Sequence, residues 1–262
     1  QVVPNTGIEG RGMAVVLSKK PYKKYSLIGP DYAYGHDQLN SFKSEMAKRR
    51  PDVQILDTVW VKLGESNFST FIPTLMAKKP EAINAAFWGG QLSAFIKQAK
   101  PYGVFKETPV SSLFDLDMLR ATGLDMPEGL TGYARAPFYA IDTPQMKEFI
   151  KKYYDKNKEW PADWAIMAYD GMIALTEAIK KANSTESEKV VDVLGGLKFN
   201  SLRGERFIRA EDHMANVGIY AGVTTKSPDY KEFLIMKDVQ PVPAEEVWLP
   251  VEEIKKLQSE QK

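Results

Sequence analysis

Aromatic and acidic side chains follow three predicted strands of this chain, in the loops GPDYAYG, WGGQ and FDLD. In an open α/β sheet, ligands bind outside the carboxyl ends of the strands, where the strand order reverses. If the three loops share that edge, they form one wall of a pocket with aromatic faces and a carboxylate. The candidate ligand-binding residues are Tyr32, Tyr34, Trp88, Gly89, Asp115 and Asp117.

Each candidate also has a purely structural interpretation. Tyr34 could pack beside a glycine-containing turn, and Trp88 could be a core residue at the end of its strand. Asp115 and Asp117 could be acidic residues at the start of a helix. In favour of binding, the Gly89-Gly90 pair allows close approach to the backbone, and the helix that begins there offers N–H groups to an anion. An enclosed carboxylate would suit an ammonium or another hydrogen-bond donor.

The sequence lacks the residue patterns that usually support catalysis or metal binding. The chain has no cysteine, and its two histidines, His36 and His213, are far apart in sequence. It contains no G-x-S-x-G nucleophile elbow and no pair of histidines at metal-binding spacing on a helix. Neither G-x-G-x-x-G nor a P-loop is present to hold a nucleotide. We therefore expect no catalytic residue, no metal and no cofactor, which favours binding without turnover.

The elements that would position these loops alternate between strand and helix. Apolar residues recur at helical spacing between the strands, as in Leu39, Phe42 and Met46, and Ser66 is predicted to cap the helix after the second strand. This alternation predicts an α/β fold with a doubly wound parallel sheet in the order 2-1-3-4-5 and a switch point between the first and third strands. The predicted strands are residues 25–29, 53–60, 82–88, 109–114 and 129–134.

The two ends and the middle of the chain do not show this alternation of strand and helix. The first 20 residues are weakly patterned, with glycines that break the local order. After residue 136 the sequence predicts three helices without intervening strands, the first capped by Thr143 and followed by Pro144. Strands return at residues 217–225 and 233–236, before a polar terminal helix. Residues 205–212 mix charges and are predicted to lie at the surface.

Composition excludes several classes of function. The chain has 262 residues, 44% hydrophobic and 26% charged, with a net charge of +1. A near-neutral chain has no electrostatic footprint for nucleic acid, and its longest apolar runs are too short to cross a bilayer. We therefore expect neither a nucleic-acid partner nor membrane insertion. The chain begins at Gln1, and its first residues do not have the pattern of a signal peptide.

Five segments, in order, carry a resemblance to a known family. They are KKYSLIGPDYAYG at residues 23–35, FWGG at 87–90, PEGLTGY at 127–133, AYDGMIALTEAIKKA at 168–182 and RAEDHMANVGIYAG at 209–222. Together they resemble the branched-chain amino-acid (Leu/Ile/Val) type of periplasmic solute-binding protein, which has the type I periplasmic binding fold. The resemblance covers nearly the whole chain.

The resemblance implies two α/β lobes that close around a ligand and deliver it to an ABC permease. On this view, residues 1–135 and 215–262 form one complete lobe, and residues 138–213 form part of a second lobe whose first segment is absent. In the family that segment supplies groups that hold the α-carboxylate of the ligand. We therefore expect residues 1–262 alone to bind ligand weakly or not at all. Exposed apolar faces on helices 143–156 and 164–182 should also favour self-association.

The resemblance also suggests individual site residues. Tyr34 matches the tyrosine after the first strand of the complete lobe, and Trp88 lies where the family places a residue beside the ligand side chain. Asp115 or Asp117 falls near the acidic residue that receives the α-ammonium, although the spacing differs. Relatives with altered loops bind amides, urea-like compounds or aromatic carboxylates, so the ligand class stays open.

The function expected from these patterns is that of a periplasmic, or lipid-anchored extracytoplasmic, solute-binding protein. Its partners would be a small-molecule ligand, such as an amino acid or a related acid or amide, and an ABC permease. An alternative is a cytoplasmic ligand-sensing regulator of the same fold, as in amide-responsive control. A third interpretation, an enzyme of the doubly wound class, needs a catalytic constellation that the sequence does not contain.

Overall fold

A computed structural model describes residues 1–260, and the chain divides into two compact units. The sheet unit comprises Asn5–Ala134 and Ile219–Val242, and the helical unit comprises Gln1–Pro4, Arg135–Gly218 and the residues from Pro243 onward. The helical unit therefore interrupts the sheet unit in sequence.

The sheet unit is built from helices and strands that alternate along most of its length. Its helices are α1 (Thr6–Ser18), α2 (Ala33–Arg49), α3 (Phe71–Ala77), α4 (Gly89–Ala99), α5 (Val104–Glu107) and α6 (Leu116–Thr122). Its strands, numbered along the chain, are β1 (Lys24–Pro30), β2 (Gln54–Val61), β3 (Ala82–Ala85), β4 (Val110–Ser111), β5 (Thr131–Ala134), β8 (Ile219–Thr225) and β9 (Ile235–Val242).

The helical unit contains a single short hairpin among its helices in the part of the chain that the structure describes. Its elements are α7 (Pro144–Asn157), α8 (Asp163–Ala182), α9 (Ser187–Leu194), β6 (Lys198–Ser201), β7 (Gly204–Phe207), α10 (Ala244–Val247) and α11 (Val251–Glu260). The Thr143 side chain caps α7 by accepting from the Met146 amide at 3.0 Å, and Pro144 occupies the first turn, as the sequence predicts. Residues 1–260 contain no helix with both the length and the apolarity needed to cross a bilayer.

Strands β2, β1, β3 and β4 form a parallel sheet in that order. The predicted α/β doubly wound fold and the switch point between the first and third strands are therefore confirmed. The fifth strand lies next to the fourth in the predicted order, but only through a single parallel bridge in the described part of the chain, and its antiparallel pairing was not predicted. β5 pairs antiparallel with β8, which pairs antiparallel with β9. Beyond β4, the parallel pairing continues only as an isolated bridge between Leu113 and Tyr133 within the described residues.

Burial explains why the inner strands are apolar. All residues of β1 after Lys24 are buried, as expected for a parallel strand covered on both faces. Three phenylalanines, Phe68, Phe87 and Phe95, pack together beside it with ring centroids 5.4–5.7 Å apart. The loops that follow the carboxyl ends of these strands are therefore anchored by well-packed core residues.

Helix α1 lies in a region for which the sequence predicted no regular element. Its start is marked by Asn5, whose side chain accepts from the Ile8 amide at 2.8 Å. The glycines that obscure the helical pattern are close-packing positions: a Cβ on Gly10 would lie 2.2 Å from the Gln38 carbonyl oxygen of α2. Tertiary packing, rather than helix propensity, selects glycine there.

Two further expectations about local structure are wrong. Ser66 does not cap the helix after β2, because α3 begins at Phe71 and its N-cap is Thr70. The Ser66 carbonyl instead accepts from the Gln98 side chain at 2.6 Å. The stretch after α9 also holds the β6–β7 hairpin, in a region predicted to lack strands.

Residues 243–260 pack with the helical unit, whereas the resemblance implies that residues 215–262 belong to the complete lobe. The reason is local packing around Trp248. The Phe207 ring meets the Trp248 ring edge-on at 5.7 Å, and the Arg209 guanidinium lies 4.3 Å from its centroid. Arg209 also donates to the Leu249 carbonyl at 3.1 Å. Residues 261 and 262 of that assignment lie outside the described residues.

Helix α8 exposes an apolar face. Its exposed large side chains are Trp164, Tyr169, Met172 and Leu175. A cavity of about 540 Å³ lies between this helix and α7, lined in part by Phe149, Tyr153 and Tyr169. The exposed faces expected on these helices are thus present, and self-association stays a prediction.

Candidate functional site

The predicted loops meet at one edge of the parallel sheet. Tyr32 is the N-cap of α2 after β1, Trp88 is the N-cap of α4 after β3, and Asp115 is the N-cap of α6 after β4. Since β1, β3 and β4 are adjacent and parallel, their carboxyl ends lie at the same edge. This edge includes the point where the strand order reverses, as the sequence predicts.

Three aromatic rings at this edge are joined by direct contacts. The Trp88 indole N–H donates to the Tyr32 hydroxyl oxygen at 3.1 Å. The Tyr32 ring stacks with the Tyr34 ring, at a centroid distance of 6.1 Å and an interplanar angle of 23°. We call Tyr32, Tyr34 and Trp88 the aromatic ledge. Trp88 is 45% exposed, so it is not the core residue that one interpretation of the sequence allowed.

The backbone beside Trp88 faces open space. Gly89 has a φ of +53°, in the left-handed region that favours glycine. A Cβ on Gly89 or on Gly90 would have no neighbouring atom within 4 Å. No more distant residue therefore packs against the start of α4 at these two glycines, as the Gly89-Gly90 pair suggested.

A buried polar network lies behind Tyr34. The Glu9 carboxylate accepts from the Tyr133 hydroxyl at 2.8 Å and from the Tyr34 hydroxyl at 3.4 Å. The Gln38 side-chain amide donates to the Tyr133 oxygen at 2.6 Å. Glu9, Gln38 and Tyr133 are all buried. The network connects α1, α2 and β5, and it fixes the hydroxyl end of one ledge residue.

Sequence reasoning did not identify this network. Glu9 lies in the weakly patterned first 20 residues, and its partners come from distant parts of the chain. The available signal was local: Asn5 and the acid in the next turn together are typical of a helix start, where an acidic residue is favourable. That signal locates the helix but not the partners of Glu9.

We expect Glu9→Gln to lower the free energy of unfolding by about 1–2 kcal/mol, because hydrogen bonds to a charged acceptor are stronger than those to a neutral one. Urea denaturation followed by far-ultraviolet circular dichroism measures the change. Glu107→Gln, at an exposed position of the same unit, is the matched control and should change stability by less than about 0.5 kcal/mol. Equal effects from the two variants would contradict a structural role for the network.

The two aspartates occupy different environments. Asp115 is buried, and its carboxylate accepts from the Met118 amide at 3.0 Å, so the helix-start interpretation describes what it does. Asp117 is exposed in the first turn of α6. The edge thus brings both acids near the end of β4, but the more enclosed one already serves as a cap. A ligand contact for either stays a prediction.

The histidines lie in separate units. His36 pairs with Asp31 at 2.8 Å, and its ring lies 4.0 Å from the Trp60 ring, in a surface cluster. Lys43 points its ammonium towards the same Trp60 ring, and burial lowers the pKa of Lys43. His213 belongs to the helical unit. Among residues 1–260, no group of three or more His, Cys, Asp or Glu side chains is placed to hold a metal ion.

Comparison with known proteins gives a family match and a set of solved structures. The family model described as periplasmic binding protein matches residues 1–227 of this chain. No curated protein sequence matches.

Solved structures similar to the chain include substrate-binding proteins of ABC transporters. An amino acid ABC transporter substrate-binding protein from Pseudomonas fluorescens is 22% identical, with a TM-score of 0.82 over 95% of this chain and 66% of its own. A solute-binding protein from Rhodopseudomonas palustris, in complex with 3,4-dihydroxybenzoic acid, is 23% identical, with a TM-score of 0.79 over 91% and 66%. A leucine-binding protein from Thermotoga maritima is 21% identical, with a TM-score of 0.77 over 92% and 67%.

These likenesses concern the fold, because the sequence identities are low. The chain spans about two thirds of the length of the solved relatives. The type I periplasmic binding fold expected from the sequence is confirmed over that part.

Proposed function

The chain belongs to the periplasmic binding protein family, and from this premise we propose that it captures a small solute outside the cytoplasm for delivery to an ABC permease. The observation that carries the proposal is the aromatic ledge at the strand-order switch point. Binding sites of open α/β sheets lie there, and they combine apolar surface with a few polar groups. The ledge supplies both, as ring faces and tyrosine hydroxyls.

The proposed ligand is an amino acid or a related small acid or amide. The solved relatives include an amino acid transporter's binding protein, a leucine-binding protein and one in complex with 3,4-dihydroxybenzoic acid. Tyr34, Trp88 and the open backbone at Gly89 are the proposed contacts on this wall of the site. Asp115 and Asp117 are proposed at its margin. The proposed activity is binding without turnover.

A thermal-shift panel tests the proposal. We expect one class among branched-chain amino acids, aromatic acids and amides to raise the melting temperature by several degrees at 100 times its Kd, which corresponds to roughly 2.7 kcal/mol. Tyr34→Ala should reduce that shift, whereas Tyr102→Ala, at an exposed tyrosine after α4, should leave it unchanged. A shift insensitive to Tyr34→Ala would contradict the site, and consumption of the ligand over hours would contradict binding without turnover.

Cell fractionation tests the proposed location. The protein expressed from its natural gene should appear in the periplasmic or membrane-anchored extracytoplasmic fraction. Recovery in the cytoplasm would contradict delivery to a permease and favour the ligand-sensing regulator.

A further inference from the structure

We infer that the aromatic ledge selects a planar aromatic solute over an aliphatic amino acid, an inference that rests on the proposed solute-binding function. Two independent observations support it. One is the arrangement of the three rings, and the other is the state of the acidic groups at the same edge.

The ledge offers aromatic ring faces whose orientation is fixed before a ligand arrives. The Trp88 indole is tied to Tyr32 by its N–H, and Tyr32 is stacked on Tyr34, which in turn reaches the buried Glu9. Rings held in this way lose little conformational freedom on binding. Stacked or edge-on contact between aromatic rings adds to the effect of simple area burial, and an aliphatic side chain gains no such contribution.

Space beside the ledge suits the edge of a ring. Trp88 is 45% exposed, and next to it in sequence a notional Cβ on Gly89 or Gly90 would meet no atom of a more distant residue within 4 Å. These two glycines therefore leave the start of α4 without a side chain that would block a ligand there.

The acidic groups at this edge are poorly suited to an α-ammonium. An amino-acid ligand needs a carboxylate that is both enclosed and available. Asp115 is enclosed, but it caps α6 through the Met118 amide, and Glu9 is enclosed, but it accepts from two tyrosine hydroxyls. Asp117 is available but exposed, and an exposed ion pair contributes little. The edge therefore favours a ligand without an ammonium group.

The test compares solutes of similar size on the protein expressed from its natural gene, by isothermal titration and by saturation-transfer NMR for weak binding. Benzoate and cyclohexanecarboxylate differ in planarity and aromaticity, benzamide removes the charge, and leucine adds the ammonium. We expect benzoate or benzamide to bind about three- to tenfold more tightly than cyclohexanecarboxylate and leucine, which is the range expected for an aromatic contact.

Variants assign the selectivity to the ledge. Trp88→Ala should weaken binding of the aromatic solute about tenfold, whereas Trp88→Phe, which keeps a ring, should retain most of the affinity. Tyr102→Ala is the matched control, since Tyr102 is also exposed but lies beyond the opposite end of α4. Circular dichroism should show the same fold for all variants.

Two results would overturn the inference, and they differ in what they imply. If leucine or another aliphatic solute binds more tightly and Trp88→Ala weakens it, the solute-binding function stands and aromatic selection is wrong. If no aromatic solute, amino acid or amide binds, the proposed function fails together with the inference.

Discussion

Asp170→Asn is expected to lower the free energy of unfolding by about 3–5 kcal/mol, because it leaves a buried guanidinium without its counter-ion. Asp170 and Arg203 are almost completely buried in the helical unit, and the Arg203 Nε donates to Asp170 Oδ2 at 2.7 Å. The other Asp170 oxygen accepts from the Leu202 amide at 2.7 Å. Arg203 also donates to the Val2 carbonyl at 2.7 Å, so one pair organises three separate stretches of chain.

Urea denaturation of matched variants measures this effect. Glu148→Ala removes one partner of an exposed ion pair with Lys152 on α7, at 2.7 Å, and should change stability by less than about 0.5 kcal/mol. The double variant D170N/R203M should lose less stability than Asp170→Asn alone, because neither charge is then left buried without a partner. If Asp170→Asn were as mild as Glu148→Ala, the buried pair would not be a major contributor to stability.

Gly10→Ala is expected to destabilise the protein by roughly 2–3 kcal/mol, against the usual gain of up to about 1 kcal/mol for this change within a helix. The new Cβ would lie 2.2 Å from the Gln38 carbonyl oxygen and 3.0 Å from the Ser41 Cβ. A backbone oxygen cannot rotate away as a side chain can. Helices α1 and α2 must therefore separate, with loss of packing in the core of the sheet unit.

Gly171→Ala is the matched control for this prediction. Gly171 also lies within a helix, α8, but its notional Cβ has ordinary contact distance, 3.4 Å, to Val2 Cγ2. The substitution should leave stability unchanged or raise it by up to about 1 kcal/mol. Equal stability of the Gly10 and Gly171 variants in urea would show that α1 and α2 tolerate a wider separation than the structure indicates.

The elements that the sequence predicted well are those whose pattern has a single cause. Strand β1 and helices α2 and α4 show apolar spacing set by burial alone, so their positions and the switch point could be read from it. Helix α1 could not be predicted in this way, because the glycine at position 10 is required by the close approach of α2 and is unfavourable for helix propensity. The antiparallel pairing of β5 could not be predicted either, since its partner β8 lies far along the chain.

In the candidate site, too, some features could be predicted from the sequence and others depend on tertiary packing. The ledge residues come directly after strands and could be placed from the sequence, because the carboxyl edge is a property of the topology. Their mutual contacts, such as the Trp88 N–H to the Tyr32 oxygen, depend on side-chain orientation that no local pattern records. The support of Tyr34 by Glu9 depends on a contact between elements that are separate in sequence. Topology therefore located the candidate site, and tertiary packing determined its shape.

The interrupted course of the sheet unit has a consequence for how the protein is made. Strand β5 ends at Ala134, but its partner β8 begins at Ile219, after the whole stretch from Arg135 to Gly218. During synthesis the β1–β4 region is made first, whereas β5 cannot pair with β8 until the ribosome has released β8. Closing so long a loop is entropically unfavourable and slow. Until then the edge of β5 that pairs with β8 is open to misassociation.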